Sequence, residues 1–332
     1  MTRRLLTWGG NLLLVVMTTL LTLCVFEVIL HKFFPQKLYR FPQGLFRNDP
    51  DTVFSLQPGF TAVLSNPEYT THVRINTLGI RGPLPGPKKA GGYRIIGLGD
   101  SFASAFNMEE PDTFMHVAEQ ELRRSTQLQE VEVVNAGTPN YGTWHELRAL
   151  RRLAGELHPD LVLLCVFVGN DLDNNLTPYE AQVRDGFLVE RRVDKGLLPY
   201  SMRAWLQRNS MSYVLFWRAW NRIRPLFGKN FNDPLQSEEN IFSRQGVPRI
   251  ERGYALTDSL MREFNKECER LGAPLVVVLI PTEFQVYPEL FQKAALRRGL
   301  DPQAFDLDLP QHRWTAIAKQ SNLPVVDLLP IF

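Results

Sequence analysis

The chain has little cysteine: Cys24, Cys165 and Cys268 are all there is in 332 residues. No two share a metal-ligand spacing and three cannot build a disulfide framework, so neither bridges nor a thiolate cluster organise this protein. Cys24 lies in an apolar run, Cys165 in a strand-like run and Cys268 in a helical stretch. Each serves there as a small hydrophobic side chain. An excess of one charge is also missing. Lysine and arginine number 37 against 35 acidic residues, a formal net charge of +2. The basic residues are scattered, without the clustered patch that phosphate binding needs, which excludes nucleic acid as a partner. No internal repeat or low-complexity tract is visible. What remains is an ordinary globular composition, 44% hydrophobic and 22% charged. It can bury a core, in one large domain or two small ones.

One stretch departs from that average. Leu5 to Phe26 is a run of 22 residues without a charge, long enough to cross a hydrocarbon layer. Arg3 and Arg4 precede it and His31, Lys32, Lys37 and Arg40 follow, so charge alone does not set an orientation. No small-x-small cleavage site follows the run. In Leu21-Thr22-Leu23-Cys24 a bulky leucine stands where a lipoprotein cleavage box needs a small residue. Residues 1–33 are therefore expected to be a short stub and an uncleaved transmembrane signal anchor.

Residues 34–90 are rich in Pro, Gly and Asn, with strand-like pieces such as Thr71–Ile75. They are expected to form a linker and a small β cap. From 91 to 332 strand and helix alternate. Strand-like runs are Tyr93–Leu98, Val131–Asn135, Leu161–Val168, Pro274–Ile280 and Pro324–Leu328. Helical patterns cover Asp112–Ser125, Trp144–Leu157, Thr257–Leu271 and Pro310–Ser321. Such alternation implies an α/β fold with helices on both faces of a parallel sheet. Five strands fit the flavodoxin-like, doubly wound order. An insertion at about 172–253, ending near Gly253, is too long for a simple crossover. It carries Trp205, Tyr213, Phe216, Trp217 and Trp220 among Arg and Asn. Aromatics at helical spacing are usually core, so these are expected to pack the insertion onto the sheet. The alternatives are a lid, a sugar-stacking surface or a membrane-facing ledge.

The chemistry concentrates at strand ends. Ile95-Ile96-Gly97-Leu98-Gly99-Asp100-Ser101 puts a serine hydroxyl at the carboxyl end of a buried strand, beside the first turn of a helix. Open α/β sheets carry their ligand sites at that edge, and a helix start offers unpaired N–H groups to developing negative charge. A strand-to-helix turn in which Asp100 or Ser101 is only an N-cap would look the same. Two further strands end comparably: Val131–Asn135 runs into Ala136-Gly137-Thr138-Pro139-Asn140, and Leu161–Val168 into Gly169-Asn170-Asp171. These three blocks, in this order, resemble the SGNH (GDSL-type) hydrolases, a superfamily of esterases and acetyl transferases. Upstream, Arg74-Ile75-Asn76-Thr77-Leu78-Gly79-Ile80-Arg81-Gly82-Pro83 is similar to the lead-in of membrane-anchored bacterial members. The resemblance covers roughly residues 70 to 332.

The resemblance implies Ser101 as nucleophile, its own N–H as one oxyanion donor and the Asn170 side-chain amide as another. The family's second block supplies a further N–H from a glycine five residues after the strand-end asparagine. Counting from Asn135, that position is Asn140, with Gly137 as the fallback. The family ends with Asp-x-x-His, whose histidine is the base; none follows Pro324–Leu328 in these residues, so the sequence is either a C-terminally truncated form or lacks the family's base. His312 is the substitute candidate, although Asp308 to His312 is one residue too long. His116, His145 and His158 are expected on the surface. Asp171 and Asp173 flank Asn170 but find no matching oxygen cluster for a metal, and no cofactor is expected.

Two functions follow. One is an extracytoplasmic serine esterase or O-acyl (acetyl) transferase, anchored in a membrane with its main domain periplasmic or extracellular. It would act on an acylated glycan or a small ester, with polysaccharide export or modification machinery as its partner. The other is a non-enzymatic, membrane-anchored glycan-binding or scaffold protein that keeps the fold.

Overall fold

The structure is a computed structural model and describes residues 2–35, 41–66, 68–125, 130–190, 200–223 and 241–332. Parts of the expected insertion, 191–199 and 224–240, lie outside the described residues. Two compact units emerge: Met1–Arg40 with Val193–Phe231, and Phe41–Arg192 with Asn232–Phe332. Helix α1 (Thr2–Phe33) opens the smaller one.

The larger unit begins with two antiparallel hairpins, β1 (Phe46–Asp49) with β2 (Val53–Leu56) and β3 (Thr61–Ser65) with β4 (Thr70–Arg74). Their inward side chains, Phe46, Phe54, Leu56, Leu64 and Val73, are buried in the main hydrophobic core. The alternation β5 (Tyr93–Gly99), α2 (Ser101–Ser104), α3 (Phe114–Ser125), β6 (Val131–Asn135), α4 (Thr143–Leu157), β7 (Leu161–Phe167) and α5 (Asp171–Leu176) follows. A hairpin of β8 (Ala181–Arg184) and β9 (Phe187–Glu190) comes next. The chain then enters the smaller unit as α6 (Tyr200–Asn209) and α7 (Met211–Ile223). It returns to the larger as α8 (Pro248–Leu271), β10 (Leu275–Ile280), α9 (Glu283–Val286), α10 (Pro288–Arg297), α11 (Leu309–Gln320) and β11 (Val325–Asp327).

Five parallel strands form the central sheet in the order β11-β10-β7-β5-β6. Numbered by their place in the core this is 2-1-3-4-5, the flavodoxin-like order, with its topological switch between β5 and β7. Buried runs such as Ile95, Ile96, Leu98, Val162, Leu164 and Val166 are what a sheet covered on both faces demands. At the amino edge Arg94 is buried and tied down. Its guanidinium donates to Leu157 O at 2.8 Å and Gly86 O at 2.6 Å and pairs with Glu132 at 2.7 Å.

The sheet is as expected, but one expectation fails around it. Helix α8 starts at Pro248 and includes Gly253, near which the insertion is expected to end. A Cβ at Gly253 would sit 2.7 Å from Leu172 Cγ, so this glycine marks the close crossing of α5 and α8, not a break. The insertion's aromatics are not buried as core side chains. Trp205, Phe216, Trp217 and Trp220 stay 61, 61, 41 and 55% exposed, in the unit that contains α1.

In that unit, α1 has a stretch, Leu13–Phe33, long and apolar enough to cross a membrane, with nearly all its side chains exposed. The one acidic side chain in this stretch, Glu27, has a defined task. Its carboxylate accepts the Met211 and Ser212 N–H groups and the Ser210 and Ser212 hydroxyls. It therefore caps the start of α7 from another helix, satisfying donors that α7 cannot bond internally. Phe26 rests against Phe216 with ring centroids 6.4 Å apart. Removing a cap costs about 1–2 kcal/mol. Glu27→Ala is therefore expected to quicken amide hydrogen exchange across Tyr213–Arg218 roughly fivefold or more, leaving β5 and β7 unchanged. Unaltered exchange in α7 would show that this carboxylate does not hold it.

Candidate active site

At the switch point the ends of β5 and β7 lie side by side, with Gly99 paired to Cys165. Ser101 follows one strand and Asn170 the other. Ser101 is the first residue of the four-residue α2, and its side chain is exposed at the sheet's carboxyl edge. Beneath it Asp100 is fully buried. The Asp100 carboxylate accepts Phe102 N–H at 2.8 Å and has the Ser101 hydroxyl 3.4 Å away, with the Asn170 side chain close enough to lower its pKa. Asp100 is thus an N-cap that stands between the first block and the third. The Asn170 amide nitrogen is the side-chain donor that the third block brings to this edge. Phe102 stacks on Phe167 with centroids 4.1 Å apart and forms an apolar wall beside the serine.

The second block is pinned to the same helix. Asn135 donates to Ala103 O at 2.9 Å and accepts Gly137 N–H at 3.0 Å. A Cβ on Gly137 would stand 2.4 Å from Ser104 N, so only glycine fits against α2 here. This corrects the fallback: the Gly137 N–H is spent on Asn135 and is not turned toward an oxyanion. Asn140 is exposed and left-handed, at φ 66°, a conformation asparagine tolerates. Among the described residues its N–H has no intramolecular acceptor. Ser101, Asn140 and Asn170 are brought to one edge of the sheet.

His312 is not brought there. It is exposed in the first turn of α11, in a surface cleft with Asp308, Asp327 and Pro330. That cleft flanks β11, which is three strand spacings from β5, about 14 Å. No histidine among the described residues is hydrogen-bonded to Ser101. His145 corrects a second expectation, for it is buried in α4, not on the surface. It stacks on Tyr141 at 5.0 Å, accepts Gly142 N–H at Nδ1 and donates from Nε2 to Pro178 O. Burial pulls its pKa down to about 4, so it is a neutral structural ring.

Sequence reasoning left three features without a role. Glu146 and Asp171 are fully buried near Asp100. Burial pushes both well above the usual carboxylate range, and the charge of Asp100 adds to the effect. Asp171 accepts Phe167 N–H at 3.1 Å and closes the turn that presents Asn170, while half-buried Asp173 pairs with Arg249. The third feature is Arg81, the arginine of the upstream block. It is buried and donates to Ser104 O at 2.7 Å, Ala105 O at 2.6 Å and Met108 O at 2.6 Å. Thr71 from β4 bonds Phe106 O at 2.6 Å. Together they clamp the carboxyl end of α2, so the β cap holds the serine turn from behind. The signal was the unexplained charge in Ile80-Arg81-Gly82, between residues that turn the chain.

The sheet order and the strand-end blocks gathered at its carboxyl edge are those of a doubly wound α/β fold with its candidate site at the topological switch. Neither a family model nor a curated protein sequence matches the chain. Among solved structures it is similar to AlinE4, an SGNH-hydrolase family esterase, at 12% identity and TM-score 0.36, over 72% of this chain and 77% of that one. A lipase/acylhydrolase from Enterococcus faecalis gives 14% and 0.34 over 72% and 77%. The psychrotrophic esterase EstA from Pseudoalteromonas sp. gives 12% and 0.32 over 70% and 76%.

Two outcomes follow from this geometry. Burial raises the pKa of Asp100 from 3.8 to about 6. A carboxyl raised in the folded state binds its proton more tightly there than when unfolded, so stability is greatest below about pH 4 for this group. It falls as pH rises through about 6, by about 3 kcal/mol at the full shift. Asp100→Asn is expected to flatten the fall between pH 4.5 and 7.5 in denaturant titrations; an unchanged slope would remove Asp100 as its source. For Arg81→Met, the carbonyls left unpaired at Ser104 and Met108 should cost about 2–4 kcal/mol. Local exchange at 101–108 should rise more than exchange in β7. Uniform loss across the sheet would mean that Arg81 serves the core in general and not this turn.

Proposed function

We propose that the chain is a membrane-anchored serine ester hydrolase or O-acyl (acetyl) transferase acting on extracytoplasmic carbohydrate esters. One observation carries the reading: the exposed Ser101 hydroxyl and the Asn170 side chain follow two adjacent strands and stand beside one buried carboxylate, Asp100. In this scheme Ser101 Oγ attacks the ester carbonyl, the bond to the alcohol oxygen breaks, and the serine proton goes to the departing alcohol. The oxyanion is received by the Asn170 amide N–H, the Ser101 N–H and the Asn140 N–H. Water or a sugar hydroxyl then takes the acyl group from Ser101. Ser101, exposed on an open edge, has room for a bulky glycan, which supports a polymeric substrate over a small buried one. Helix α1 is the single-pass anchor, with the sheet domain on the periplasmic or extracellular side beside polysaccharide export or modification machinery.

A second reading has its own support. No described histidine reaches Ser101, and Asp100 Oδ2, at 3.4 Å, is long for an O–H···O bond. Glycan binding without turnover is what a serine lacking a base would give. Full-length protein is to be assayed on an acetylated glycan for acetate release and for transfer to an acceptor. For the enzyme, Ser101→Ala should lower turnover at least 10³-fold and Asn170→Ala about 10²–10³-fold. Absent turnover in the native chain, with glycan binding retained by Ser101→Ala, would replace the first reading by the second.

A further inference from the structure

The smaller unit carries a surface that the chemistry at Ser101 does not use. On α7, Phe216, Trp217, Trp220 and Ile223 recur at i, i+1, i+4 and i+7, within an arc of about 120°. They are 61, 41, 55 and 43% exposed, while Val214 on the opposite side is buried. Trp205 of α6 is 61% exposed. An apolar face of this kind marks an interaction site. Its chemistry is specific. Between Tyr200 and Ile223 stand four arginines, Arg203, Arg208, Arg218 and Arg222, and no aspartate or glutamate. Trp and Phe beside Arg, without acidic residues, is the composition of helices lying in the headgroup boundary of an anionic bilayer.

The placing of α7 agrees. Its first turn is fixed to Glu27, the first charged residue after the uncharged run Leu5–Phe26, and Phe26 itself touches Phe216. The aromatic face therefore begins at the level where the run in α1 ends and continues the exposed apolar surface of Val25, Val28 and Ile29. We propose that the aromatic face of α6 and α7 lies in the headgroup–acyl boundary of the same bilayer that α1 spans, seated on anionic lipid. The proposal rests on the reading of α1 as an anchor.

The test uses the full chain in vesicles of phosphatidylcholine and phosphatidylglycerol. Cys24→Ser leaves only the buried Cys165 and Cys268. An environment-sensitive nitrobenzoxadiazole label is placed at Trp220→Cys in one protein and at Met17→Cys, inside the uncharged run, in another. Lipids spin-labelled near the headgroup should quench position 220 at least twofold more than lipids labelled at the chain end, with the reverse ranking at position 17. If position 17 is quenched while position 220 answers only to aqueous iodide, the docking surface is overturned and the anchor stands. Shielding of position 220 from iodide and lipid alike would show protein covering the face, and also overturns it. If neither position is quenched by lipid, the anchor reading fails and takes this proposal with it.

Discussion

The site depends on a carboxylate kept away from water. Asp100 is buried at the end of β5, and the desolvation that raises its pKa is offset in part by Phe102 N–H, by the Asn170 side chain and by the hydroxyl and N–H of Ser101. These groups come from two loops on either side of the switch point. Glu146 and Asp171 lie close by and are themselves buried, and three such acids near one another cannot all ionise cheaply. The cost favours protonated partners around Asp100, leaving it the group that accepts. A charge in this position is expensive, and what it secures is geometry.

Holding the serine turn takes a second force from the opposite end. Helix α2 has four residues, too few for internal hydrogen bonds to stabilise it. Its amino end is capped by Asp100, and Ala105 closes it in a left-handed conformation at φ 48°. Arg81 reaches three carbonyls there, and those of Ser104 and Met108 would be orphaned without it. Asn76 shapes the turn that delivers Arg81, accepting Leu78 N–H at 2.9 Å and donating to Pro83 O at 2.9 Å. The hairpins before the sheet are therefore part of how the active edge is built.

How much of this the sequence discloses follows from the range of the forces involved. The five strands and their order of use were legible because a strand buried on both faces must be apolar along its length, and each run ends in turn residues. Ser101 and Asn170 were legible because they follow such runs directly. Arg81, Glu146 and His145 were not. Each is a polar residue made neutral or satisfied by atoms 23 to 46 positions away, and nothing local to it says so. Gly253 is alike in this: its meaning is Leu172, on another helix. The aromatics of α7 look like core by spacing. Only their partner, or the lack of a protein partner for their outer face, separates core from surface.

The same physical device recurs in both units, with one difference that matters. Asp100 caps α2 from the residue next to it, so that cap exists wherever the local turn forms. Glu27 caps α7 from more than 180 residues away, so that cap exists only once α1 and α7 have met. The stretch Ser210-Met211-Ser212 has no acidic residue of its own to greet the start of α7. An acidic side chain inside an otherwise apolar span is costly in lipid unless its oxygens are fully engaged, and four donors from Ser210, Met211 and Ser212 engage them here. The expense of placing Glu27 in α1 and the need of α7 for a cap thus cancel only in the assembled pair. Helix α7 is held where α1 goes, and its arginines and aromatics go with it.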